Sequence, residues 1–202
     1  MRAKRALVVV DIQKDFCPGG ALPVREGDKV IGPINALINA FESESLPVVF
    51  TRDWHPRDHC SFKSRGGTWP PHAVRGTDGA KFPSTLHVSR GATIISKAMQ
   101  KDVEAYSGFQ GTDLSARLKS MAVSEVYVAG LATDYCVKRT VVDGIGEGFA
   151  VFLVSDCVRG VNLRRTDSAT AFREMVARGA RTVPSKQLLK SLGGRAAVSS
   201  SS

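Results

Sequence analysis

No stretch of this 202-residue chain approaches the roughly 20 consecutive apolar residues that span a bilayer, so no membrane-spanning helix is expected. Cysteine is also sparse. Cys17, Cys60, Cys136 and Cys157 lie far apart with no C-x-x-C pair, which favours reduced thiols and a cytoplasmic location over a disulfide framework. The opening "MRAKRALVVVD" places basic residues before an apolar run of about five residues, too short for a signal peptide, so it reads as a first strand. Blocks of like charge are missing too. The net charge of +9 comes from 28 Lys and Arg interleaved with 19 acids, a pattern that argues against a nucleic-acid partner and leaves solubility or weak attraction of anions. No internal repeat is visible, and histidine occurs only four times.

What is present fits one buried core: 43% hydrophobic and 23% charged residues are ordinary for a globular domain of this length. A single domain over residues 1–192 is expected. The tail "GGRAAVSSSS" (193–202) offers nothing to bury and should be disordered. Between them, apolar β-branched runs at 6–11, 46–52, 92–96, 124–131, 149–156 and 181–184 alternate with helix-period segments at 29–44, 112–122, 134–148 and 164–180. Continuous apolar strands imply a sheet covered on both faces. The fold class is therefore α/β, a three-layer α/β/α sandwich with a mainly parallel, Rossmann-like central sheet. Residues 53–91 break the rhythm, and long loops of this kind usually carry function.

In an open parallel sheet, ligands bind beyond the carboxyl ends of the strands. Three ionisable residues arrive there: Asp11 after the first strand, Lys97 after "ATIIS", and Cys136 just past "VYVAGLATD" at a helix start. Taken singly, each has an ordinary reading: a turn cap, a solvated cation and a small buried hydrophobe. Together they can make a nucleophile, because a lysine ammonium and a helix N-terminus should depress the thiol pKa while a carboxylate moves the proton. The backbone N–H groups of "GLATDYC" could hold an oxyanion at the same place.

The stretch "RDWHPRDHCSF" brings Asp53 and His55 to this edge, two apart in extended chain, and His72 follows in "TWPPH". One carboxylate and two imidazoles suit zinc, iron or manganese, with positions left open for water or substrate. Spacing alone leaves a second reading open, in which these are loop histidines making ordinary hydrogen bonds.

Four motifs, "DIQKDFCPGGAL", "DWHPRDHCSF", "TWPPHAVRGTDGAKF" and "VAGLATDYCVKRT", occur in an order that resembles the nicotinamidases of the isochorismatase-like cysteine hydrolase superfamily, over about residues 6–184. The resemblance implies a catalytic triad of Cys136 as nucleophile, Asp11 as proton shuttle and Lys97 as stabiliser of the thiolate. It implies Asp53, His55 and His72 as ligands of one divalent metal, zinc by preference with iron or manganese as alternatives. His59 then stands as a fourth ligand or as a residue holding a metal-bound water. Phe16, Trp69 and Tyr106 match aromatics around the substrate ring. A cis peptide is expected between Leu131 and Ala132, with the N–H groups of Ala132 and Cys136 forming the oxyanion hole. Lys14 departs from the family pattern, where asparagine is frequent, and puts the charge at the pocket rim in question.

The activity so implied is hydrolysis of nicotinamide to nicotinate and ammonia through a cysteine thioester, a step that feeds NAD salvage. The partner is a small molecule, without nucleic acid or membrane, and a homo-oligomer is left open. Relatives acting on carbamoyl or ureido amides generally lack the D-x-H plus His set, and isochorismatase itself does not use this cysteine. A non-catalytic binding module on the same fold remains a different class of reading.

Overall fold

The structure, a computed structural model, describes residues 4–193. Six strands form one sheet in which every pairing is parallel: β1 (Lys4–Val10), β2 (Val48–Asp53), β3 (Thr93–Lys97), β4 (Val123–Leu131), β5 (Ala150–Arg159) and β6 (Arg181–Val183). Their order is β3-β2-β1-β4-β5-β6. The chain winds outward from β1 to β3, then restarts at β4 on the other side of β1. That reversal opens a crevice beyond the ends of β1 and β4.

Side-chain alternation along the strands divides the core into two layers. Leu7 and Val9 of β1 pack with Ile34, Leu37, Ile38 and Phe41 of α1 (Ile31–Ser43) and with Leu188 and Leu192 of α5 (Ser185–Gly193). Ala6, Val8 and Val10 face the opposite way, against α2 (Leu114–Ser120), α3 (Lys138–Gly146) and α4 (Asp167–Ala177) through Leu114, Leu118, Val141 and Met175. The spacing 34, 37, 38, 41 is an i, i+3, i+4, i+7 stripe, so α1 is held by one buried face.

Two elements depart from the expected pattern. The helix expected over 134–148 begins instead as a π-helical turn, Thr133–Val137, which precedes α3 and carries Cys136. The second is α5, for which the sequence periodicity gave no expectation because only Leu188 and Leu192 of it are buried apolar residues. Its N-terminus is satisfied from outside: the backbone N–H and hydroxyl of Ser185 donate to the two carboxylate oxygens of Asp156 at 2.8 and 2.6 Å. Gly193 is the last described residue of this helix, and the remainder of the expected tail lies outside the described residues. No helix among those residues is long and apolar enough to cross a membrane.

The irregular stretch from Trp54 to Ala92 is tied down by backbone hydrogen bonds. His55 N–H donates to Ala73 at 3.1 Å, Arg75 N–H to His55 at 2.9 Å, and Trp54 N–H to Lys97 at 3.1 Å. The loop is thus anchored where its histidines sit. Close backbone approach governs β4 as well. Gly130 has φ +126, and a Cβ there would lie 2.1 Å from the carbonyl oxygen of Val10. Gly130→Ala should therefore lower stability by about 3 kcal/mol, read by denaturant unfolding, whereas Gly146→Ala, which meets no atom within 4 Å, should not.

Candidate active site

Strand register sets the first contact of the site. Asp53, the last residue of β2, lies directly opposite Lys97, the last residue of β3, and their side chains form an ion pair. Gln13 fixes Asp53 from the other side: its amide accepts the Asp53 N–H at 2.8 Å and donates to the Asp53 carbonyl at 2.8 Å and the Ala80 carbonyl at 2.9 Å. Asp11 follows β1 with a left-handed backbone (φ 48), which turns the chain sharply at the switch point. Its Oδ1 accepts the Thr51 hydroxyl at 2.6 Å. The Lys97 ammonium forms an ion pair with Asp11 Oδ2 at 2.9 Å. The same ammonium donates to the Ala105 carbonyl at 3.3 Å and to Cys136 Sγ at 3.5 Å. Asp11, Lys97 and Cys136 are thus brought together, with Asp53 as a fourth member of the group.

All four are buried, and burial governs their protonation. It is the largest influence on Asp11 and raises its pKa, more than the Lys97 charge lowers it. Burial alone would lower Lys97, but the charges of Asp11 and Asp53, with Cys136, outweigh it and hold the ammonium well above its ordinary pKa. Cys136 is pushed well above the ordinary thiol range by burial, against the opposing pull of Lys97, with Asp11 and Asp53 adding to the rise. The expected depression of the thiol pKa is therefore corrected. It counted one cation and a helix terminus, whereas the fold adds two carboxylates and removes water. The surroundings thus favour the neutral thiol and hold Lys97 as a cation, with the Asp11 carboxyl beside both.

Next to it, single ligand atoms from Asp53, His55 and His72 lie within 4.8 Å of one another, all three residues buried. Carbonyl oxygens only accept, so the contacts of His55 Nδ1 with Ala98 (3.2 Å) and of His72 Nδ1 with Pro70 (2.7 Å) place the ring proton on Nδ1 in both. In both rings Nε2 is left as the atom available to a ligand. His55 Nε2 is buried with no hydrogen-bond partner and stands 3.8 Å from Asp53 Oδ2. Burial, then the neighbouring His72, His59 and Lys97, lower the His55 pKa to about 3, so the imidazole is neutral, the form that ligates. An orphaned buried nitrogen, a second free Nε2 and an anionic oxygen are a donor set that fits a divalent cation.

His59 is engaged elsewhere. Its Nδ1 accepts the Ser61 N–H at 3.2 Å and its Nε2 meets the Val103 carbonyl at 3.1 Å, while its ring stacks on His55 at 4.2 Å. Both nitrogens are occupied, and the ring braces His55 from behind.

In front of Cys136 lies a cavity of about 380 Å³ of empty space, its mouth included, lined by Phe16, Trp69, His72, Tyr106, Ala132 and Tyr135 among others. Trp69 Nε1 donates to the Tyr106 hydroxyl at 3.1 Å, and burial pushes the Tyr106 pKa up to about 12, so this rim is neutral at physiological pH. Asp11 and Lys97 stand behind the thiol, outside the lining. The peptide between Leu131 and Ala132 is cis.

A model of the isochorismatase domain matches residues 5–187. The chain belongs to the isochorismatase family. Within the family it is similar to the nicotinamidase of Escherichia coli K12, 41% identical with 87% of this chain and 92% of the relative covered. Among solved structures, the pyrazinamidase of Pyrococcus horikoshii in complex with zinc superposes with a TM-score of 0.86 at 48% identity, covering 90% of this chain and 99% of that one. The yeast nicotinamidase bound to the inhibitor nicotinaldehyde gives 0.83 at 27% identity over 89% and 99%. The family's α/β fold and the parallel sheet agree.

Some residues of this isochorismatase-family site escaped sequence reasoning. Thr51 and Gln13 act through hydrogen bonds to Asp11 and Asp53 across about forty residues of chain, which no spacing rule registers. Tyr135 lines the cavity and packs edge-on against Trp69 at 5.1 Å; its place beside Cys136 in "TDYC" was the available signal. Lys14 turns to solvent and pairs with Asp78 at 2.8 Å, and it does not line the cavity.

Proposed function

We propose that the protein is a nicotinamidase, hydrolysing nicotinamide to nicotinate and ammonia. The observation that carries this reading is the thiol of Cys136 at an aromatic-lined cavity, with Lys97 Nζ 3.5 Å away and Asp11 Oδ2 paired to the same ammonium at 2.9 Å. The relatives named nicotinamidase support the substrate.

In the proposed chemistry the Cys136 sulfur attacks the carboxamide carbon and its proton passes to Asp11, while Lys97 balances the negative charge that develops. The carbonyl oxygen becomes an oxyanion facing the N–H groups of Ala132 and Cys136. Breakage of the C–N bond follows, with Asp11 returning the proton to nitrogen, which departs as ammonia. Water then adds to the thioester and gives up a proton to Asp11. Cleavage of the C–S bond releases nicotinate and restores the thiol. Phe16, Trp69 and Tyr106 hold the ring. Asp53, His55 and His72 would hold a divalent cation, zinc first because of the mixed nitrogen and oxygen donors, which would supply a Lewis-acid anchor for the substrate. His59 supports His55, and reduced thiols suit a cytoplasmic setting for NAD salvage.

Ammonia release by the purified protein tests the reading. Nicotinamide should be turned over at least about a hundredfold faster, in kcat/KM, than a ureido or N-carbamoyl amide of similar size, since a site built for one ring loses orientation with another scaffold. Preference for the carbamoyl substrate, or binding without turnover, would overturn it.

A further inference from the structure

Asp134 sits two residues before Cys136 in the π-helical turn, is 8% exposed, and reaches away from the triad. Its two carboxylate oxygens each accept one backbone N–H from a distant strap: Val161 at 2.9 Å on Oδ1 and Asn162 at 2.8 Å on Oδ2. The strap has little freedom of its own. Asn162 takes a left-handed backbone (φ 53), and its side-chain oxygen accepts the N–H of Ser168 at the start of α4 at 2.9 Å. A Cβ on Gly160 would fall 2.0 Å from Ser168 Oγ and 3.0 Å from Asp134 Oδ1. Val161, the middle residue, lines the cavity together with Cys136, Leu22 and Val24.

We infer that Asp134 is a positioning residue that sets the width of the substrate pocket, by clamping the Gly160–Asn162 strap so that Val161 forms a fixed apolar wall beside the nucleophile. The physical basis is the doubled acceptor. A carboxylate that takes two adjacent backbone N–H groups fixes both the position and the orientation of the strap, which a single hydrogen bond would leave free to rotate. Because Asp134 and Cys136 share one turn, the wall and the sulfur move as a unit. The pocket therefore discriminates by ring size through a residue that touches no substrate. The kinetic part of this inference rests on the nicotinamide reading, whereas its geometric part does not.

Asp134→Asn keeps the volume but turns one acceptor into a donor facing an N–H group. It should raise the KM for nicotinamide about tenfold while kcat falls less than about threefold, since orientation of the ring is loosened and the triad is left in place. A structural role alone would lower the amount of folded enzyme and leave KM unchanged. Placed on Val161→Ala, the same substitution should add little, because the wall it holds is already gone. A second readout needs no substrate: the ratio of Cys136 labelling rates with N-phenylmaleimide and iodoacetamide should move about fivefold toward the bulky reagent. If Asp134→Asn does not fold, Gly160→Ala displaces the strap from the other side and should give the same shift in both readouts. Unchanged KM with an unchanged reagent ratio in the folded variant overturns the inference, as does full additivity with Val161→Ala. Wild-type protein that releases no ammonia removes the nicotinamide reading, and the reagent ratio then decides on the clamp by itself.

Discussion

Cys136→Ala is expected to abolish nicotinamide turnover, by about 10⁴-fold or more in kcat, with Asp11→Ala and Lys97→Ala each falling nearly as far. The size of each loss follows from the protonation state at rest. Burial favours the neutral Cys136 thiol, so the proton is expected to leave as the C–S bond forms. The Asp11 carboxyl lies in the same buried group, paired to Lys97 at 2.9 Å, and without it the proton loses its acceptor. Lys97 is the single cation among two carboxylates and the sulfur, and without it the negative charge developing at Cys136 has no compensation. Each residue is thus required for one event, and the losses should not multiply. Asp11→Ala in a Cys136→Ala background should be little worse than Cys136→Ala alone. Multiplicative losses in steady-state kinetics would mean that the residues act in separate steps. Lys97→Ala also strands two buried carboxylates, so its folding must be checked by circular dichroism; Lys97→Met, which fills the same volume, carries the same kinetic expectation with less of a void.

The sheet was legible because its strands are short β-branched runs whose ends carry polar residues, and every one of the six lies within two residues or so of its expected place except at the far end of β5, which continues to Arg159. The layer assignment followed from the same runs. What could not be read was anything set by contact between distant segments. The π-helical turn at Thr133–Val137 replaces ordinary helix where β4 meets α3, and nothing in the helix-period pattern of "DYCVKRTVVDGIGEG" marks it. α5 has a weak apolar stripe and takes its N-terminal stabilisation from Asp156, about thirty residues away. Asp11, Lys97 and Cys136 were legible as neighbours because each follows a strand end, whereas their protonation was not. The raised thiol pKa comes first from burial of Cys136 and then from the charges of Asp11 and Asp53, and all three are facts of topology and not of local composition.

Removal of the divalent cation carries the other large expected effect. Chelation followed by buffer exchange should lower nicotinamide turnover about 10³-fold, and zinc should restore it. Metal analysis should find about one equivalent in the wild type, with His55→Ala and His72→Ala losing most of it. His59→Ala should keep the larger part, because both of its ring nitrogens already have partners in Ser61 and Val103 and its ring only braces His55. Full occupancy in the His55 and His72 variants would return those rings to ordinary loop hydrogen bonding. The substrate side of the same argument uses benzamide, which keeps the carboxamide and the ring but lacks the ring nitrogen. The cavity wall is shared between Cys136 and two of the proposed ligand residues, Asp53 and His72, so a ring anchored at one end would be aimed at the sulfur at the other. With the anchor gone, Phe16 and Trp69 still bury the ring, but nothing fixes its rotation in the plane. Benzamide should therefore bind while its kcat falls about a hundredfold or more, the signature of lost orientation and not of lost contact area. Equal kcat for benzamide and nicotinamide would remove the orienting role from Asp53, His55 and His72 and assign their cation to the chemical step itself.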